Sequence, residues 1–234
     1  MPGLQKRHRT GKHRRAFTLI EASLATVIVG VGVLAIVEAQ QSFLQKNAWS
    51  THTSTAMFLA NELREMTRTM PRHDRFSGGI FFLDPDAHTG FRGWGPEPDE
   101  LTPLDYDDLD DFDGVAFGSA PNLPGPLNAR FTGPVNALGQ VAPEIAWDGS
   151  IVVDGQGEPL SLQGWTQYIA VDKVDPNDFT VALDDDFFEP AAGVDPEIEV
   201  DQFPVRVTVT ILYQGFGEAT ATVVAEVAWI VPAI

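Results

Sequence analysis

Phe17-Thr18-Leu19-Ile20-Glu21-Ala22-Ser23-Leu24-Ala25-Thr26-Val27-Ile28-Val29-Gly30-Val31-Gly32-Val33-Leu34-Ala35-Ile36-Val37 is a run of 21 residues, almost wholly apolar, whose one charge is Glu21. At about 1.5 Å rise per residue, a helix of that length covers roughly 31 Å, close to the hydrocarbon thickness of a bilayer. Ahead of it stand Lys6, Arg7, Arg9, Lys12, Arg14 and Arg15 with no acid. The positive-inside rule puts that basic flank in the cytoplasm and the remainder of the chain outside. An acid within a span costs roughly 2.5 to 3.5 kcal/mol at the bilayer centre and less near an interface, so Glu21 reads as a functional residue.

Three export readings fit a basic leader followed by an apolar run. An ordinary secretory signal would use Val37-Glu38-Ala39 as its small-residue cleavage site, but the run exceeds the ~7 to 15 residues of such a signal's apolar core. A twin-arginine signal would use Arg14-Arg15-Ala16-Phe17. Neither gives Glu21 a role. The third reading rests on Ala16-Phe17-Thr18-Leu19-Ile20-Glu21 after a short basic leader, which resembles the processing site of type IV prepilins and type II secretion pseudopilins.

The resemblance implies cleavage between Ala16 and Phe17 by prepilin peptidase on the cytoplasmic side, with methylation of the new Phe17 amine. Ala16 departs from the Gly that the family prefers before the cut. The resemblance also implies a pilin-like subunit, held by a single pass in the inner membrane with its globular part periplasmic or displayed on the cell surface; its size and the missing disulfide favour a minor or initiating subunit. There it would assemble with other pilins or pseudopilins in a helical filament. Glu21 would pair with the Phe17 amine of a neighbouring subunit, a cation at neutral pH given a reference pKa near 7.7 to 8.0. In an apolar bundle either charge left alone costs several kcal/mol, so the pair would set the stagger of subunits. The plain alternative is an anchor carboxylate that snorkels to the headgroups.

Beyond the span, Ala56, Leu59, Leu63, Met66 and Met70 recur at spacings of three and four, which predicts an amphipathic helix with one apolar stripe. Pro71 ends that pattern, so one helix is expected from Phe17 to about Met70. From Pro71 to Pro143 there are ten prolines, with short apolar pieces at Ile80 to Leu83 and Val115 to Phe117. This composition predicts loops with one or two short strands. Trp165 to Val171 and Phe179 to Leu183 are strand candidates. Val205, Val207, Val209, Ile211 and Tyr213 alternate with polar residues, and Ala219, Ala221, Val223, Ala225, Val227, Trp229 and Val231 are expected to do the same after Gln214-Gly215-Phe216-Gly217. Two runs of period two around a turn predict an antiparallel hairpin.

The expected class is α+β, a long N-terminal helix packed on a C-terminal antiparallel β-sheet, which is the layout of the pilin fold that the resemblance implies. Its divisions are residues 1–16 as a cleaved leader, 17–38 as the membrane half of the helix and 39–70 as its amphipathic half. Residues 71–234 form the globular part, with 71–164 loop-rich and acidic and 165–234 the sheet.

The net charge is −18, and removing residues 1–16 leaves nine bases against 33 acids, or −24. Such a surface excludes nucleic acid as a partner, because phosphate binding needs clustered Lys and Arg. There is no cysteine, so the domain is expected to hold together by packing or by a metal. Gly93 to Ala129 carries nine acids and no base, densest at Asp105-Tyr106-Asp107-Asp108-Leu109-Asp110-Asp111-Phe112-Asp113-Gly114. Carboxylates this dense repel one another, and Ca²⁺ takes six to eight oxygens, so Asp107, Asp108, Asp111 and Asp113 are candidate ligands. The EF-hand pattern fails, since Leu109 stands where its first Asp belongs. The bland alternative is a solvated loop whose Asp residues cap turns. Asp172 to Asp201 holds eleven acids and one base, with Asp184-Asp185-Asp186 expected in a connecting loop.

No His-Glu-x-x-His or Gly-x-Ser-x-Gly string occurs, and His52, His73 and His88 are expected at the surface, so no enzyme is expected. The rival to an assembly subunit is a calcium-dependent adhesive or ligand-binding module displayed on a pilus or cell surface.

Overall fold

The computed structural model describes residues 18–74, 79–102, 105–118, 132–193 and 196–233. One helix, α1 (Leu19–Thr67), is followed by β1 (Phe81–Asp84), β2 (Thr89–Arg92), β3 (Ala116–Gly118), β4 (Trp165–Asp175), β5 (Asp178–Ala182), β6 (Val205–Tyr213) and β7 (Thr222–Val231). The chain divides between Ser50 and Thr51 into two compact units.

In the first unit every described residue of α1 is exposed. A window of 18 residues there has a mean hydropathy of 2.3 and none of it is buried. Val, Ile and Leu occupy every side of the helix with no polar stripe between them, as in a segment whose solvent is not water. By length and composition this one helix can cross a membrane.

In the second unit α1 buries one face, formed by Ala56, Leu59, Ala60, Leu63 and Thr67. Ala56, Leu59, Ala60 and Leu63 share a core with Val205, Val207, Val209 and Ile211 of β6 and with Ile169 and Val171 of β4. Met66 and Met70 are half-buried against the same core. The helix ends at Thr67, short of the expected Met70, through a final turn in which the Met70 N–H donates to the Thr67 carbonyl at 3.2 Å.

The sheet is antiparallel in the order β3-β4-β6-β7, with β5 also paired to β4. β4 and β6 run in register from Trp165↔Tyr213 to Lys173↔Val205. Along β6 the valines and Ile211 point inward and Arg206, Thr208 and Thr210 are half-buried, as its period predicts. The partner β7 departs from the expected alternation. Its register shifts between Ile211, which faces Ala225, and Leu212, which faces Val223. Val224 is therefore an extra residue, a bulge that reverses the alternation before it and leaves Val223 61% exposed. β3 can lie close against β4 because Gly118 has no side chain: a Cβ there would come within 2.1 Å of the Thr166 hydroxyl.

The segment 134–162, expected to be loop, is a ring of three short hairpin arms. The Glu144 N–H donates to the Leu160 carbonyl, Leu160 to Val152, and Val152 back to Glu144, at 2.8, 2.9 and 2.9 Å. Its turns are closed by Asn136, Asp148 and Asp154, whose side-chain oxygens accept the N–H groups of Leu138, Ser150 and Gln156 at 3.0, 3.0 and 2.8 Å.

Gln167 ties this ring, α1 and the sheet together. It is fully buried. Its Oε1 accepts the Val135 N–H at 2.7 Å, while Nε2 donates to the Leu59 and Val135 carbonyls at 3.0 and 2.9 Å. Replacing it with an apolar residue leaves buried backbone groups without partners, at about 1 to 3 kcal/mol for each. Gln167→Leu is expected to destabilise the globular unit by on the order of 3 kcal/mol in urea unfolding; a change below about 0.5 kcal/mol, the size of an ordinary surface substitution, would refute this node.

Candidate functional site

The first site is the start of α1. Ala16 and Phe17 lie outside the described residues. The Thr18 N–H and hydroxyl both donate to Glu21 Oε2, at 2.9 and 3.0 Å, and the Glu21 N–H lies 3.4 Å from the Thr18 hydroxyl oxygen. This is a reciprocal capping box: Thr18 and the acid three residues later each satisfy a backbone N–H that the first helical turn leaves unpaired. Glu21 thus has a local role within its own chain, which the sequence signature Thr-x-x-Glu could have disclosed.

The second site is the acidic string after α1, where most carboxylates are committed to backbone. Asp105 accepts the N–H of Thr102 at 3.0 Å, and Asp113 that of Val171 at 2.9 Å. Asp108 Oδ1 accepts the N–H groups of Asp110 and Asp111 at 3.1 and 3.3 Å, capping the 3-10 turn Asp110–Phe112. Asp110 faces His73 Nδ1 at 3.0 Å through one oxygen and accepts the Gly95 N–H at 3.1 Å through the other. Asp111 Oδ2 lies 3.3 Å from the Asp108 N–H, but its Oδ1 is buried and has no hydrogen-bond partner among the described residues.

Asp107, Asp108 and Asp111, predicted from sequence, present oxygens within 4.8 Å of one another, and so do Glu97, Glu100 and Asp111. Asp113, predicted with them, belongs to neither group among the described residues; its oxygen is turned to β4. Glu97 and Glu100 were missed, because they arrive through their own turn, in which the Glu100 N–H donates to the Glu97 carbonyl at 3.0 Å.

Burial dominates the electrostatics here. It pushes the Asp108 carboxyl up to about 9, helped by Asp110, and those of Asp110 and Asp111 up to about 7. Burial likewise holds His73 down to about 4. Burial therefore favours the uncharged form of both partners in the His73–Asp110 contact. His73 is thus a buried partner of Asp110 rather than the surface histidine expected. His52 lies against the rings of Trp165 and Tyr213, and His88 stacks on Phe188 at 3.7 Å while contacting Glu197 at 2.8 Å.

Lys173, the one base in the second acidic stretch, is also buried. It donates to the carbonyls of Asp185 and Phe187, and burial lowers its amine to about 8.

The chain matches no protein-family model, no curated protein and no solved structure.

The three raised aspartates bind protons more tightly folded than unfolded, so their contribution to stability is complete below the unfolded value near 3.8 and is lost as pH rises through about 7 and then 9. His73 acts oppositely, its contribution being present above 6.5 and lost as pH falls through about 4. With chelator present, the unfolding midpoint of the full chain in detergent should fall between about pH 5 and about pH 9. Asp108→Asn, which keeps the capping oxygen, should flatten the upper part of that slope; a midpoint that rises over this range would contradict the assignment.

Proposed function

We propose that this chain is a pilin-like assembly subunit, made with a leader, cut between Ala16 and Phe17 by prepilin peptidase, and N-methylated on Phe17. It sits by a single pass in the inner membrane with its globular unit outside, and joins other pilins or pseudopilins in a type IV pilus or type II secretion pseudopilus. Its activity is assembly.

The observation that carries this reading is the change of character along α1. Up to Ser50 the helix is unburied, and from Ala56 it buries a one-sided stripe in a domain core. A helix satisfied by lipid or by other helices first, and by its own sheet later, suits a subunit that moves from membrane to filament. The antiparallel sheet behind that stripe is consistent with the pilin fold, and Ala16-Phe17-Thr18-Leu19-Ile20-Glu21 supplies the processing signature.

The capping box gives Glu21 a competing purpose, and charge separates the two. Glu21→Gln retains an oxygen that can cap Thr18 but removes the charge that would pair with a neighbouring Phe17 amine. Under the assembly reading, Glu21→Gln and Glu21→Ala both leave cleavage largely intact and both lose recovery in sheared filaments or in complexes with partner pilins, by about tenfold or more, as expected for loss of at least 1.4 kcal/mol. If Glu21→Gln assembles like wild type, capping alone explains the residue.

Mass spectrometry of the mature N-terminus tests the processing step. Methylated Phe17 supports the proposal, whereas Gln40 or an intact leader overturns it.

A further inference from the structure

We propose that Asp107, Asp108 and Asp111, together with Glu97 and Glu100, form a binding site for one hard divalent cation of the size of Ca²⁺. This goes beyond the assembly reading and does not rest on it.

The first observation is convergence. Two triads of carboxylate oxygens, each mutually within 4.8 Å, share Asp111 as their common member. Oxygens that coordinate Ca²⁺ at about 2.3 to 2.6 Å lie roughly 4.6 to 5.2 Å apart when on opposite sides of the ion, so triads of this width fit around it. One oxygen from each residue of the two triads gives five carboxylate ligands, and a second oxygen or a water completes the six to eight that Ca²⁺ takes.

The second observation is independent of acidity. Asp111 is 1% exposed, and its Oδ1 has no hydrogen-bond partner among the described residues. A buried carboxylate oxygen left without a partner costs the full desolvation of that atom, about 1 to 3 kcal/mol or more. The surrounding string shows how thoroughly such costs are avoided, since Asp105, Asp108, Asp110 and Asp113 each accept a backbone N–H. A buried, unpartnered oxygen on the residue that both carboxylate triads share has a natural partner in a cation.

The third is the sign of the neighbourhood. Asp107 feels Asp74, Glu97 and Asp99; Glu100 feels Asp111 and Asp107; Asp108 and Asp111 both feel Glu97.

Calcium rather than magnesium follows from the ligands. Mg²⁺ demands near-ideal octahedral geometry at about 2.0 to 2.1 Å and usually keeps several waters, whereas Ca²⁺ accepts a crowded, irregular set of carboxylates. The ion would clamp the Glu97–Glu100 turn onto the 3-10 turn at Asp110–Phe112. That turn is already tied to the end of the helix, where the Leu109 N–H donates to the Pro71 carbonyl at 3.1 Å, and to β4, where the Gly114 N–H donates to Ile169 at 3.0 Å. In a chain with no cysteine, the ion would take the place of a covalent staple between helix and sheet.

The test is calorimetric titration of the full-length protein in detergent, stripped with EDTA, first with Ca²⁺ and then with Mg²⁺. One Ca²⁺ per chain should bind saturably with Kd below about 1 mM, the weak end of extracellular calcium modules, and Mg²⁺ should bind at least about tenfold more weakly. Asp111→Asn should weaken Ca²⁺ at least about tenfold, while Asp178→Asn, an exposed acid at the start of β5, should change it less than about twofold. Should Asp111→Asn fail to fold by circular dichroism, half-buried Glu100→Gln carries the same tenfold expectation. Absence of saturable binding, Mg²⁺ binding as tight as Ca²⁺, or Ca²⁺ affinity unchanged in the folded variant would each overturn the proposal.

Discussion

The globular unit is organised around the buried amide of Gln167. A sheet face and a helix stripe can be brought together by apolar contact alone, but apolar contact is non-directional and leaves their relative slide loosely defined. The Gln167 amide removes that freedom, because it serves the Leu59 carbonyl of α1 and both backbone groups of Val135 at once. From β4 it thus fixes the helix on one side and the hairpin ring on the other. A second link points the same way: Glu62 of α1 accepts the Ala137 N–H at 2.7 Å. Two polar side chains therefore set the register of three layers whose energy comes mainly from Leu, Ile and Val.

The acidity of the chain is largely a capping chemistry. Asp105, Asp108, Asp113, Asp148, Asp154 and Asp178 each accept a backbone N–H in a turn or at a strand edge. Irregular backbone near a core leaves donors that no helix or ladder satisfies, and a short acid is an efficient way to satisfy them. This explains how a proline-rich segment of little regular structure can cover part of the sheet. It also isolates Asp111, whose buried Oδ1 is not used in this way.

Much of the architecture was legible in the sequence. The α1 stripe through Ala56, Leu59 and Leu63 and the β6 alternation from Val205 to Tyr213 were read correctly because each repeats over enough residues for one period to win, whereas Met70 falls beyond the end of the helix. The apolar stretch after Phe17 declared a possible span for the same reason. The ring of hairpins was not read: its arms are too short for period two to emerge, and its signal lay in Asn136-x-x-Gly139, Asp148-Gly149 and Asp154-x-x-Gly157, a turn code rather than a hydrophobic pattern. Positive φ at all three of these glycines is the backbone reason for that code. The Val224 bulge could not be read either, since it reflects how β7 closes on β6. In the acidic string, density identified Asp107, Asp108 and Asp111, but the diversion of Asp113 to Val171 and the arrival of Glu97 and Glu100 depend on how distant segments meet. The burial of His73 against Asp110 across 37 positions has the same origin.

The closed circuit among Glu144, Val152 and Leu160 bears on the order in which the chain acquires structure. Each arm is held by the other two through bonds confined to residues 134–162, so the ring is a local unit with little loop entropy to overcome. The contact between Gln167 and Leu59 spans 108 positions and belongs at the slow end of assembly. A preformed ring presents the Val135 backbone groups to Gln167 as one fixed acceptor and donor pair. The long-range closure then joins two ordered surfaces instead of two fluctuating loops, which shortens the interval during which the β7 edge and the apolar helix face stand open to neighbouring chains.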